Sequence, residues 1–261
     1  MVLTDRQEEI LALIRDKGQV DVDSLTLSFG VTSQTIRRDL TELSAFGLAV
    51  RTHGGAKRIA AVTGREYNDR RQFRADEKEK MGRLAASLIP DHAAVALNIG
   101  TTTEQVARAL TRHDGLMVLS NNINIINTFI GTGVRELVLA GGSVRASDGA
   151  IVGEGAVEFI SRYKVDFAVI GASALDEDGS VLDFDAREVS VARSILNNAR
   201  TKILVCDSSK FERTAPVRIC EVADLDYVVT DVTPPRDFVR AAEIGNTIIL
   251  TPEQSNGDRH V

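Results

Sequence analysis

Gln34, Arg37, Arg38 and Thr41 are spaced to project from one side of a helix at about 100° per residue, while Ile36, Leu40 and Leu43 fall on the other. Gln matches the donor and acceptor of adenine, and Arg offers two N–H groups to guanine or to a phosphate. That face has the chemistry to read duplex DNA. For an isolated Arg-Arg pair a solvated surface is the simpler account, so the weight lies on the surrounding residues.

A second group of residues suits an anion. Asn98-Ile99-Gly100-Thr101-Thr102-Thr103 follows a short apolar run and opens a helical pattern at about Thr102. Gly100 lets a ligand approach the backbone, three hydroxyls offer donors, and a helix start favours negative charge. Asp207-Ser208-Ser209-Lys210 follows another apolar run, and Lys210 brings a full positive charge toward strand ends. Each segment alone is either an anion cradle or a capped polar turn. Asn121, Asn122, Asp183, Arg187 and Glu188 add amides and charged groups that suit sugar hydroxyls or, equally, helix caps and a charged face. Gly141-Gly142 forms either a crevice rim or a sharp strand exit.

The elements that position the first group are legible in order. Asp21 caps a helix carrying Leu25 and Phe29, Gly30 permits a sharp turn, and Thr32 caps a second helix running from Ser33 through Thr35 to Leu40. This is helix-turn-helix spacing. Gly47 ends the helix, Leu48-Ala49-Val50 reads as a strand, and Arg51-Thr52-His53-Gly54-Gly55 forms a turn before Lys57 and Arg58, which makes the head winged. Residues 31–60 hold five basic and two acidic residues, a local balance of +3 in a chain of net charge -6.

The second group sits in an α/β pattern. Apolar runs at 93–97, 116–119, 136–139, 165–170, 202–206, 226–230 and 246–250 alternate with amphipathic stretches at 102–110, 122–130 and 184–199, which predicts a mostly parallel layered sheet. Before it, 59–76 is polar and weakly periodic and reads as a linker, and 75–89 resumes a helical pattern that stops at Pro90. The expected organisation is a head over 1–58, a linker over 59–76 and a second domain over 77–261.

Composition narrows the function. Residues 91–261 carry 16 Lys or Arg against 24 Asp or Glu, a balance of -8 that DNA would repel, so DNA contact falls to the N-terminal part. No apolar run approaches the roughly 18 residues of a membrane span, and Met1-Val2-Leu3-Thr4-Asp5 opens no secretory signal, so a cytoplasmic location is expected. Cys206 and Cys220 lack C-x-x-C spacing or a nearby histidine and read as free thiols; neither a metal nor a cofactor is expected.

Val31-Thr32-Ser33-Gln34-Thr35-Ile36-Arg37-Arg38-Asp39-Leu40, followed by Gly47 and Arg51-Thr52-His53-Gly54-Gly55-Ala56, closely resembles the DeoR family of bacterial transcription regulators. Gly100-Thr101-Thr102-Thr103, Ala140-Gly141-Gly142 and Asp207-Ser208-Ser209-Lys210-Phe211 stand where that family carries its sensor motifs, so the resemblance covers almost the whole chain. It implies a Rossmann-like sensor domain akin to ribose-phosphate isomerase and coenzyme A transferase folds, a phosphorylated sugar effector, and a homo-oligomer. It also implies DNA contact by Ser33, Gln34, Thr35, Arg37, Arg38 and Thr41 with Arg51 and His53. This chain departs from the family at Asn98, where Asp is common, and at Ala186, in a segment often richer in amides or carboxylates.

The expected function is an effector-responsive regulator, a repressor of a carbohydrate-metabolism operon released from operator DNA by a sugar phosphate, with the linker helix as coupling element. It is expected not to be an enzyme. The alternatives are a sugar-phosphate isomerase-like enzyme with a fused DNA-binding head, whose base would come from Asp183, Glu188 or Asp207, and an architectural DNA-binding protein with a ligand-free oligomerisation domain.

Overall fold

A computed structural model describes residues 3–45, 49–52, 54–58 and 64–252, and the chain divides into two compact units, Met1–Glu66 and Tyr67–Val261. In the first, α1 (Asp5–Lys17) opens with a reciprocal cap: the Thr4 hydroxyl accepts from the Gln7 amide at 3.3 Å, and the Thr4 amide donates to the Gln7 side chain at 3.1 Å. Then β1 (Gln19–Asp21) leads into α2 (Val22–Phe29), capped by Asp21 accepting from the Ser24 amide at 2.7 Å. Gly30, at φ 62°, supplies the left-handed turn between α2 and α3 (Ser33–Ala45), and the Thr32 hydroxyl accepts from the Thr35 amide at 3.2 Å.

β2 (Ala49–Thr52) and β3 (Gly55–Arg58) complete an antiparallel sheet in the order β1-β3-β2. Ala49 and Val50 of the expected strand are in β2, which runs on to Thr52 because it stays paired with β3 that far. Ile10, Ile14, Leu25, Ile36, Leu40 and Leu43 fill the core, each fully buried apolar side chain contributing about 1.5–3 kcal/mol. Gly47, Leu48 and His53 lie outside the described residues, as do the side chains of Lys57 and Arg58.

Within the span expected to be a polar, weakly periodic linker lies a helix, α4 (Gly64–Gln72). Its arginines, glutamate and glutamine are good helix formers, and Tyr67 is buried. Pattern reading passes over it because one apolar position makes no periodicity.

The second unit continues with α5 (Ala75–Ala86), β4 (Ala94–Leu97), α6 (Thr101–Leu110), β5 (Met117–Ser120), α7 (Ile123–Phe129), β6 (Glu136–Leu139) and a small hairpin of β7 (Val144–Arg145) and β8 (Ala150–Ile151). After α8 (Glu154–Ser161) come β9 (Val165–Ile170), β10 (Ala174–Leu175), β11 (Ser180–Asp183), α9 (Ala186–Asn197) and β12 (Ala199–Val205). A 3-10 turn (Ser208–Glu212), β13 (Val217–Glu221), β14 (Tyr227–Val229), α10 (Arg236–Ile244) and β15 (Ile248–Leu250) complete the described chain.

Among the described residues the main sheet has seven strands, all parallel, in the order β15-β14-β12-β9-β4-β5-β6. Successive strand residues serve opposite faces: Val95 and Leu97 join Met81, Val106 and Leu110 on one side, while Ala96 joins Ile160, Ile195 and Phe238 on the other. A sheet buried on both faces explains why its strands read as short continuous apolar runs. The antiparallel trio β10-β11-β13 was not anticipated, since β10 is only two residues long.

Helix α5 lies hard against α6. A side chain at Gly82 would meet the Gln105 carbonyl carbon at 2.7 Å, so glycine sets this approach. We expect Gly82→Ala to cost about 1–3 kcal/mol through overpacking, read as a lower midpoint in denaturant unfolding. An unchanged midpoint would mean that the two helices part easily.

Candidate functional site

Two sites follow from this fold. On the first unit, Ser33, Gln34, Arg37, Arg38 and Thr41 are exposed along α3 and Thr35 is half-buried, while Ile36, Leu40 and Leu43 are fully buried beneath them. The face is one continuous strip beside an open groove that Thr4, Arg6 and Thr32 also line. Arg38 is held by Glu42 at 3.0 Å within the helix, and Thr41 donates its hydroxyl to the Arg37 carbonyl at 2.7 Å. Arg51 is half-buried on β2, and its Nη1 is buried without a hydrogen-bond partner among the described residues, so only part of its guanidinium faces solvent.

Asp39 has a role that a count of charges hides. It is buried on the inner side of α3, where it accepts from Arg6 Nε at 2.7 Å and Arg6 Nη2 at 3.3 Å, and Gln7 also donates to Glu42 at 2.7 Å. The first turn of α1 therefore fixes the rotation of α3 about its axis. A bidentate Arg–carboxylate pair with a buried partner holds orientation better than an exposed lysine pair. The signal in the sequence was the Thr4-x-x-Gln7 cap that marks the start of α1.

The second site lies at the carboxyl ends of β4, β9 and β12. From β4 the chain proceeds outward through β5 and β6, and from β9 outward through β12, β14 and β15, so β4 and β9 flank the point where strand order reverses. Open parallel sheets receive ligands there. Asn98 closes the reversal point: its Oδ1 accepts from the Gly171 amide at 3.0 Å and its own amide donates to Val169 at 3.1 Å. Gly100, at φ 150°, is the N-cap of α6 and places no side chain over the helix end. Thr103 turns its hydroxyl back to the Gly100 carbonyl at 2.8 Å, and Thr101 and Thr102 are buried beside it.

Lys78 of α5 reaches this helix end, a residue the sequence reading missed. Its Nζ donates to Thr101 Oγ1 at 3.2 Å and to the Arg70 carbonyl. Burial pushes its pKa down to about 8; Asp207 opposes this, while the charges of Lys210, Arg70 and Arg213 reinforce it. Burial lowers Lys210 as well. Asp207 caps the 3-10 turn by accepting from the Ser209 amide at 3.1 Å; burial works against its charge, but Ser209, Lys210 and Lys78 hold the carboxyl below its ordinary range. Lys78 falls on the buried stripe of α5 with Met81, Gly82 and Ala85, and a lysine on an apolar stripe is the clue that would have found it.

The other candidates divide. Burial raises the Asp183 carboxyl, against the hydrogen bonds it accepts from the Phe184 amide at 2.7 Å and the Ser173 hydroxyl at 2.9 Å and the charges of Lys210 and Arg70. Glu188 is raised to about 7 by burial and by Asp183, although Arg145 contacts it. Arg145 also grips Asp148 through Nε at 2.8 Å and Nη2 at 2.7 Å. Asn121 donates to the Ile151 carbonyl at 2.9 Å, and its Oδ1 is buried with no partner among the described residues, an acceptor left over at the end of β5. Asn122 is used as a cap, accepting from the Asn124 amide at 2.7 Å. Arg187 is not brought to the crevice: it is exposed and paired with Asp185 at 2.7 Å. Gly142 and Arg145 flank the entry to the β7-β8 hairpin, which accounts for the Gly-Gly pair as a strand exit. Cys206 is buried and Cys220 half-buried, both free, and burial raises each thiol to about 12.

Comparison with known proteins bears on both sites. Residues 6–62 match the family described as DeoR-like helix-turn-helix domain, and residues 74–232 match the DeoR C terminal sensor domain. The chain is 40% identical over 235 residues to the glycerol-3-phosphate regulon repressor of Escherichia coli K12, covering 90% of this chain and 93% of that one. It is 31% identical over 249 residues to the HTH-type transcriptional repressor CsqR of the same organism, covering 95% of each. Solved structures similar to part of it include ribose 5-phosphate isomerase A from Methanocaldococcus jannaschii, 16% identical, with a TM-score of 0.38 over 52% of this chain and 54% of that one. No helix among the described residues is long and apolar enough to cross a membrane.

The depressed Lys78 pKa fixes a pH dependence. Between about 8 and the ordinary 10.5 the unfolded chain binds the proton and the folded chain does not, so folded stability gains as pH rises through that window, and the penalty is fully present below it. Denaturant unfolding of the wild type and Lys78→Met at pH 7, 8 and 9.5 should show the wild type gaining on the variant as pH rises. A constant difference would place Lys78 in an ordinary solvated setting.

Proposed function

The chain belongs to the DeoR family of DNA-binding transcriptional repressors, and from that premise we propose that α3 enters the major groove of an operator while the crevice of the second unit binds a phosphorylated sugar or polyol. The observation that carries the effector reading is a pair of cations, the buried Lys78, which donates to Thr101 in the first turn of α6, and the half-buried Lys210, whose charge acts on Lys78, with no side chain capping the α6 N-terminus. Free backbone N–H groups and a helix dipole add to those cations, and a phosphate dianion satisfies all of them together. Asp183 and the unpaired Oδ1 of Asn121 then serve hydroxyl groups on the same ligand.

The relatives named glycerol-3-phosphate regulon repressor make glycerol 3-phosphate the first compound to try. We further propose a cytoplasmic homo-oligomer whose heads dock on half-sites about 34–36 Å, or a multiple, apart. The ligand acts by binding two arrangements of the protein unequally, since equal affinity shifts no population. Glu188, with a carboxyl at about 7, favours a second reading in which it moves a proton on a sugar phosphate. Its contact with Arg145 fits a structural carboxylate, and binding without turnover is the expected result.

Lys210→Ala should erode the preference for glycerol 3-phosphate over glycerol about 10- to 150-fold, as loss of one charge-assisted contact worth about 1.5–3 kcal/mol requires. Calorimetry on the paired ligands measures it, and an undiminished preference would move the phosphate away from this helix end. For the head, Arg37→Ala should cost about 1–3 kcal/mol of discrimination if it reads a base. If Arg37 meets a phosphate, affinity should fall on all sequences and the salt slope should drop by roughly 0.9. Titrations with operator and scrambled duplex at several salt concentrations distinguish these. Equal affinity of variant and wild type for both duplexes would remove Arg37 from the interface.

A further inference from the structure

Helix α4 contributes more to the anion site than its position in the sequence suggests. Its carbonyl at Arg70 accepts from Lys78, the lysine that also holds Thr101, and the Arg70 charge is felt by Lys78, Lys210 and Asp183. One turn earlier, the Tyr67 hydroxyl donates to Glu104 and accepts from Asn124 Nδ2 at 2.8 Å, while Arg71 Nε lies 3.5 Å from the other Glu104 oxygen. Glu104 is buried in the first turn of α6, directly after Thr101, Thr102 and Thr103. Burial raises its carboxyl, with Tyr67, Arg71, Arg108 and Asn124 opposing.

The holds on α4 and on α5 differ in kind. α5 is fixed to α6 by the close approach at Gly82 and by Met81 and Ala85 in the apolar core. Among the described side chains of α4 only Tyr67 is buried, and the remaining ties are the ion pair and hydrogen bonds above. Polar ties respond to a new charge at their centre, whereas apolar packing does not. Only residues 59–63 separate α4 from β3 along the chain.

We propose that α4 is the part of the second unit that answers to ligand occupancy: Arg70 lends its charge to the effector's phosphate, and the Tyr67–Glu104 hydrogen bond ties α4 to the helix end that receives it. This rests on the phosphorylated effector proposed above. A dianion at the α6 N-terminus relieves the repulsion among Lys78, Lys210 and Arg70, and so draws the last turn of α4 inward. The tie at Tyr67 passes that change along α4 toward the head's end of the chain. By linkage, the factor by which effector weakens DNA binding equals the factor by which DNA weakens effector binding, so both can be measured on the full chain.

The test uses Tyr67→Phe, which keeps the buried ring and removes the hydroxyl, and Glu104→Gln, whose amide oxygen still accepts from Tyr67. Each is titrated with glycerol 3-phosphate, free and on a duplex that the wild type has selected from random sequence. Tyr67→Phe should bind the free ligand within about threefold of wild type while its linkage factor falls to within about twofold of unity; Glu104→Gln should keep the factor. A wild-type factor in Tyr67→Phe, or its loss in both variants, would overturn the proposed role of the hydrogen bond. Should Tyr67→Phe fail to fold, hydrogen exchange on the wild type decides: the amides of Tyr67–Gln72 must slow when glycerol 3-phosphate is added, and unchanged exchange rejects the proposal. A wild type indifferent to glycerol 3-phosphate, dihydroxyacetone phosphate and inorganic phosphate sinks the effector reading itself, and this inference with it.

Discussion

Two ammonium groups that repel each other, Lys78 at the N-terminus of α6 and Lys210 in the 3-10 turn after β12, are both lowered in pKa by burial and only partly neutralised by the protein's own groups. Taking a cation out of water costs several kcal/mol unless a counter-charge replaces the lost hydration, and the positive end of α6 adds to that cost. Asp207 and Asp183 return part of it. The remainder of the unit keeps these groups in place: Asn98 bridges the two halves of the sheet, Gly82 lets α5 lie against α6, and the parallel sheet sets β12 beside β9, with the 3-10 turn that carries Lys210 following it. On the proposed reading, charge strained in this way is stored binding energy for an anion.

Most of this architecture was legible in the sequence because it follows from periodicity and capping. Asp21, Gly30 and Thr32 cap and turn the two helices as their residue types require, and the strands at 94–97, 136–139 and 165–170 coincide with the apolar runs. What escaped was of two kinds. α4 has a single apolar residue, Tyr67, and no stripe, so no pattern announced it, and β10, β11 and β13 exist through pairing partners distant in sequence. The site was half legible for the same reason. Thr101 to Thr103 and Lys210 lie in strand-end motifs, whereas Lys78 reaches Thr101 from a helix that precedes the sheet, with the Arg70 carbonyl accepting from it, and only the tertiary fold brings them together.

The two arginines of α3 show the reverse case, in which sequence chemistry and tertiary structure agree but for an added reason. An exposed strip with Gln34, Arg37 and Thr41 was expected from the helical period; the restraint on its direction came from Arg6 and Asp39, on the far side of the helix. The family match to a DeoR-like helix-turn-helix over residues 6–62 includes that restraint from its first residue.

Anchoring α3 through a residue on its inner side separates two duties along one helix. Ile36, Asp39, Leu40 and Leu43 hold the position, and none of them is available to solvent. Ser33, Gln34, Arg37, Arg38 and Thr41 on the outward side are exposed, so exchanging them leaves the core of the head undisturbed. With α3 reading DNA as proposed, binding preference and foldability vary independently, and a lineage of such proteins acquires new target sequences through a few outward substitutions without first having to regain stability elsewhere.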